Sequence, residues 1–216
     1  MKHFPELQLS AAGARVLGCL LEKEVTTPDL YPLTLNSLVT ACNQASSRHP
    51  ITNYSADEVQ AAVTELSEDY LVTKVLGGRA PKYEHELGDV LHLDDRERAI
   101  LTVLLLRGTQ TAGELKQRSE RLFAFDTLPE VEEVLSGFIE YSHGPLVARI
   151  SAGGGRRVET FRHLLAEESA SLEVENSQSE ATPPQDLVRR VEELEAEVAS
   201  LRSQLDSLLA RDSASS

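Results

Sequence analysis

Two stretches of this chain carry the same apolar stripe at an offset of 72 residues. No other feature constrains the fold as tightly. After Ser55 come Val59, Ala62, Val63 and Leu66; after Thr127 come Val131, Val134, Leu135 and Phe138. Both sets follow the i, i+3, i+4, i+7 spacing of one apolar face on a helix. Each is preceded by a capping-box pattern, Ser55/Glu58 and Thr127/Glu130, in which a hydroxyl caps the helix and an acid follows three residues later. The same pattern recurs at Asp94/Glu97 and Thr111/Glu114.

The repetition continues downstream. LVTKVLGGRAPKYEH begins at Leu71 and LVARISAGGGRRVETFRH at Leu146. Each is a short β-prone run, a glycine-rich turn carrying arginine, and a second run ending in aromatic-x-His. Glycines between two such runs predict a β-hairpin. Upstream, SAAGARVLGCLLEKE and DDRERAILTVLLLRG each predict a leading helix, followed by LTLNSLVTACNQA and TAGELKQRS respectively. The first copy has an extra proline-bearing connector, TTPDLYP. Each half is therefore helix, helix, helix, hairpin, the winged-helix plan related to helix-turn-helix. The fold class expected is α+β, mainly α, with winged-helix domains at 1–90 and 91–170, a linker at 171–186 and a coiled-coil helix at 187–210.

The chain resembles the YceH family of bacterial proteins, a family of unknown function with tandem winged-helix domains. The most specific parts of the resemblance are RVLGCLLEKEVTTPDLYPLTLNSLVTACNQASSR and LVTKVLGGRAPKYEH, and it covers roughly residues 8 to 168. It implies the fold and a bacterial cytoplasmic setting, and no catalytic residues.

Residues 171–186, SLEVENSQSEATPPQD, read as a flexible linker. Beyond them Leu187, Val191, Leu194, Val198, Leu201, Leu205 and Leu208 alternate spacings of four and three, the heptad pattern of a coiled coil. In a parallel pair, Arg190 would face Glu195 of the other strand and Glu197 would face Arg202. These charges, with valine at the first apolar position, predict a parallel homodimer.

Net charge is −14, which disfavours contact with phosphates. Helices SADEVQAAVTELSEDY and TLPEVEEVLSGFIEY, where a winged helix would read the major groove, hold no Lys or Arg. Basic groups sit on the wings: Arg79 and Lys82 in the first, Arg156 and Arg157 in the second. Asn43, Gln44 and Arg48, with His49, close the second helix with residue types that bond base edges, although termination before Pro50 explains them almost as well. The counterpart segment offers Lys116, Gln117, Arg118 and Arg121. These residues are the expected contact surface of a regulatory protein that touches DNA through its wings. The alternative is a protein-interaction scaffold that does not touch DNA.

No phosphate-binding loop, metal-ligand spacing or catalytic constellation is present in the sequence. No enzyme activity, cofactor, metal or membrane partner is expected. Cys19 and Cys42 read as buried thiols, and MKHFPELQL lacks a signal-peptide core, so a cytoplasmic location is expected.

Overall fold

The computed structural model describes residues 8–78, 80–153 and 158–166. The fold is α+β and mainly helical, and the winged-helix-like order appears twice. In the first half, helices α1 (Ala11–Thr26), α2 (Leu35–Cys42) and α3 (Ala56–Glu68) precede the hairpin β2–β3 (Val72–Val75, Lys82–His85). In the second, α5 (Asp95–Arg107), α6 (Ala112–Ser119) and α7 (Leu128–Ile139) precede β4–β5 (Val147–Ile150, Thr160–His163). A five-residue helix, α4 (Leu87–Leu91), links them.

The repeat goes deeper than the hairpins. A short strand β1 (Leu33–Thr34) pairs with β3, Leu33 opposite Tyr83, just before α2 begins. At the matching place before α6, Gln110 bridges Phe161 by two backbone hydrogen bonds of 3.0 and 2.7 Å. Thr34 caps α2 and Thr111 caps α6, each accepting a backbone N–H. Capping boxes form at Ser55, Asp94 and Thr111 as the sequence predicts. Thr127 departs from that pattern. Its hydroxyl donates to Glu130 Oε1 at 2.9 Å and accepts no backbone N–H. Pro129 lies in the first turn of α7, and Glu130 Oε2 instead accepts from the Asp126 N–H at 3.3 Å.

The two leading helices are not amphipathic in the ordinary sense. Every residue of α1 from Gly13 to Leu21 is buried, and every residue of α5 from Ala99 to Leu106. A helix apolar all round belongs inside a structure, and α1 and α5 pack on each other there. Gly18 allows the close approach. A Cβ at that position would lie 2.9 Å from Leu106 Cδ2 and 3.0 Å from Leu105 Cβ. The chain then closes on itself. Leu9 N–H donates to Leu165 O at 2.7 Å, and both residues are buried. Apolar side chains from both halves join one core, so the boundary near residue 90 divides the repeat and not the packing.

Candidate functional site

Segment 43–50 follows the end of α2 and folds back as a strap. Asn43 closes the loop from inside: its Nδ2 donates to Tyr54 O at 2.8 Å and its Oδ1 accepts from Tyr54 N–H at 2.7 Å. Arg48 turns inward. Its Nε donates to Ala41 O at 3.0 Å, and its two terminal nitrogens fork onto Glu22 at 3.1 and 2.6 Å. The Arg48 side chain is 0 % exposed and that of Glu22 is 12 %. Burial raises the Glu22 carboxyl pKa, but hydrogen bonds and charge from Arg48 overcome it and leave the group below its ordinary range. The strap is also tied to the second half, since His49 N–H donates to Leu106 O at the end of α5 at 2.9 Å.

This placement corrects the expectation of an outward polar surface there. Asn43 and Arg48 spend their donors on the fold. Asn43 and Gln44 are both half-buried, and Gln44 bonds locally, its Nε2 donating to Ser46 and its Oε1 accepting from Lys23 Nζ at 3.3 Å. The sequence lacks a local sign of this, because the partner of Arg48 lies 26 residues upstream in LLEKE.

Beside the strap lies a cleft of about 280 Å³. Glu22, Lys23, Thr26, Thr27, Gln44 and Ser47 line it from the first half, and Val103, Leu106, Arg107, Arg118, Arg121 and Leu122 from the second. Arg118 donates to Gln110 Oε1 at 2.7 Å and pairs with Glu114 at 3.1 Å. Burial lowers the Arg107 pKa, and the neighbouring charges of Arg118 and Arg48 lower it further.

The third helices keep their acidic character in three dimensions. Asp57, Glu58 and Glu68 on α3 and Glu132 and Glu133 on α7 are exposed, and neither helix bears a Lys or Arg. Lys82 is half-buried at the start of β3, opposite Val75. Arg79, Arg156 and Arg157 lie outside the described residues, as do the coil positions Leu187, Val191, Leu194, Val198, Leu201, Leu205 and Leu208. On the described shoulders of the wings, Leu76 and Val158 are 76 % and 60 % exposed.

Two further polar clusters reach the core through His85 and through Cys19 and Cys42. Glu24 on α1 accepts from Arg98 of α5 at 3.2 Å and lies 3.1 Å from His85 Nε2. Burial lowers the His85 pKa, although Glu24 pulls it the other way. Cys19 and Cys42 are buried free thiols between α1 and α2. The hydrogen bond to Cys19 and then burial push the Cys42 thiol well above its ordinary value. No helix among the described residues is long and apolar enough to cross a membrane.

Residues 9–156 match the family described as "Protein of unknown function, DUF480". The UPF0502 protein YceH of Escherichia fergusonii is 44 % identical over 212 residues, covering 94 % of this chain and 97 % of its own. A UPF0502 protein of Klebsiella pneumoniae subsp. pneumoniae is 45 % identical over 213 residues, covering 94 % and 96 %. One from Pectobacterium atrosepticum is 43 % identical over 210 residues, covering 94 % and 99 %.

Proposed function

The chain belongs to the DUF480 family of unknown function, and from that premise we propose that it is a non-catalytic interaction protein that meets a partner protein through acidic surfaces. One observation carries this reading. The helices that would enter a major groove expose carboxylates and no cation, and DNA repels such a face. The Asn43 and Arg48 donors that could have offset that repulsion are engaged internally. Heptads at 187–208 would double the binding surface by pairing two chains.

The test is pairwise. Nuclease-treated extract is passed over the full-length protein, and the captured partner is then titrated in pure form. The reading expects one stoichiometric partner with a basic surface, whose binding weakens when Glu68 and Glu132, both exposed, are changed to lysine. Unchanged affinity in that variant refutes it.

A second reading, DNA contact led by the wings, is favoured by the exposed apolar shoulders Leu76 and Val158 flanking the arginine-bearing turns. It expects retardation of mixed genomic fragments at low salt, lost when Arg79, Arg156 and Arg157 become alanine. Absence of retardation even at low salt defeats it.

A further inference from the structure

We propose that the cleft beneath the 43–50 strap is a binding site for a compact anion bearing a phosphate monoester. This goes beyond the partner-protein reading and does not depend on it. The cleft gathers Lys23, Arg107, Arg118 and Arg121 in a chain whose net charge is −14. Such convergence costs Coulomb energy unless an opposite charge answers it. Glu22 is the one carboxylate lining the cleft, and both of its oxygens already accept from Arg48. Lys23 lies 3.2 Å from Glu22, and Arg118 is paired with Glu114. Among the described residues, Arg107 and Arg121 have neither an ion pair nor a side-chain hydrogen bond. Two uncommitted guanidinium forks beside two more cations are the donor set that a phosphate dianion takes best, because each fork matches two of its oxygens.

Polar and apolar walls complete the site. Ser47, Gln44, Thr26 and Thr27 line it, the Thr26 and Thr27 hydroxyls already donating to Glu22 O and Lys23 O and the Gln44 amide to Ser46, while Val103, Leu106 and Leu122 give it an apolar side. The volume of about 280 Å³ suits a phosphate with a small body attached, and is too small for a nucleic-acid duplex. The lowered Arg107 pKa agrees with this, since burial and like charge both work against the cation in the empty cleft. An anion would reverse the second effect. Because the walls come from both halves, the ligand would also brace the seam between the repeats.

The experiment is calorimetric titration of the full-length protein at fixed ionic strength. The probes are O-phosphoserine and a phosphoserine peptide of neutral sequence. The expected result is saturable binding at one site per chain. Equal affinity for O-phosphoserine and the peptide assigns a free small molecule as the source, and tighter binding of the peptide assigns a modified protein. Changing Arg107 and Arg121 together to glutamine is expected to weaken binding at least about tenfold. Arg96→Gln, a charge change away from the cleft on the Asp94–Glu133 side, leaves it unchanged. Ser47→Glu places a carboxylate in the cleft and is expected to abolish binding, which keeps the test sound if the double variant does not fold. Non-saturable heats, or equal weakening by R96Q and R107Q/R121Q, overturn the proposal.

Discussion

Changing Glu22 to glutamine isolates what the buried ion pair contributes. The Arg48 side chain is fully buried, and its fork loses a charged partner at 3.1 and 2.6 Å. Removing one member of a buried pair costs roughly 3–5 kcal/mol, because the remaining charge has lost its solvent as well as its partner. Here the lower end applies. Glutamine still offers one acceptor oxygen, and Arg48 keeps its bonds to Ala41 O and Ser47 O. About 3 kcal/mol corresponds to a fall in Tm of about 6–12 °C for a domain of this size. Urea unfolding at neutral pH, with unchanged m-value, measures it directly. The double variant E22L/R48M is expected to recover much of the loss, since an apolar pair of similar volume replaces two desolvated charges. The pH dependence gives an independent check. The Glu22 pKa is depressed in the folded state, so its contribution is present above the unfolded carboxylate value of about 4.3 and is lost as pH falls through the lower folded value. The gap between wild type and E22Q should therefore close in acid. A gap within about 0.5 kcal/mol at pH 7, the range of an ordinary surface substitution, would refute the assignment of this pair as the anchor of the strap.

Four further outcomes are expected. Gly18→Ala should destabilise by about 1–3 kcal/mol in urea melts, because its methyl meets Leu105 and Leu106 across the α1–α5 contact. Asn43→Ala should cost about 1–3 kcal/mol by leaving the Tyr54 backbone pair unanswered, and should slow no DNA association in a gel assay. His85 titrates below its ordinary value of about 6.5. Its neutral form therefore stabilises the fold fully above that pH, and stability drops as pH falls through it; His85→Gln should flatten that slope in urea midpoints taken from about pH 7.5 to 5.5. Leu201→Asp should reduce the light-scattering mass to that of one chain if the heptads pair as proposed.

Local signals in this chain were legible, and long-range pairings were not. The stripe Val59, Ala62, Val63, Leu66 is buried as its period predicts, and so is Val131, Val134, Leu135, Phe138. Glycine-bearing turns marked both hairpins. Strand β1 escaped notice because two residues carry no period, and α4 because five residues with Gly88 and Asp89 resemble a turn. The polar run 43–50 looked like a surface from its composition. It became an interior strap because Glu22, one turn beyond Cys19 on α1, meets Arg48 only after the chain has folded. Composition cannot separate a guanidinium that reads a base from one that ends a buried helix, since both need the same donors. The continuous apolar runs of α1 and α5 did carry a clue to their central position. A helix with one solvated face does not need eight consecutive buried residues, as Ala99–Leu106 has.

The two copies have diverged where they touch, and that divergence explains the charge pattern. In the first copy the residues after α2 fold over α5, and Arg48 is neutralised by Glu22 on the way. In the second copy the matching stretch at the end of α6 has no third copy to strap onto. There Arg121 is exposed and Arg118 half-buried against Gln110 and Glu114, beside Arg107 from the end of α5. Five of the chain's 21 Lys and Arg residues, Lys23, Arg48, Arg107, Arg118 and Arg121, thus collect along one seam. A fold selected only to read DNA would put those cations on α3 and α7, where the repeat would have supplied them twice. Here those helices are acidic in both copies. The asymmetry that packing imposes on a duplicated unit thus places one cationic cluster of the described residues between the repeats, and directs the search for a ligand to the seam.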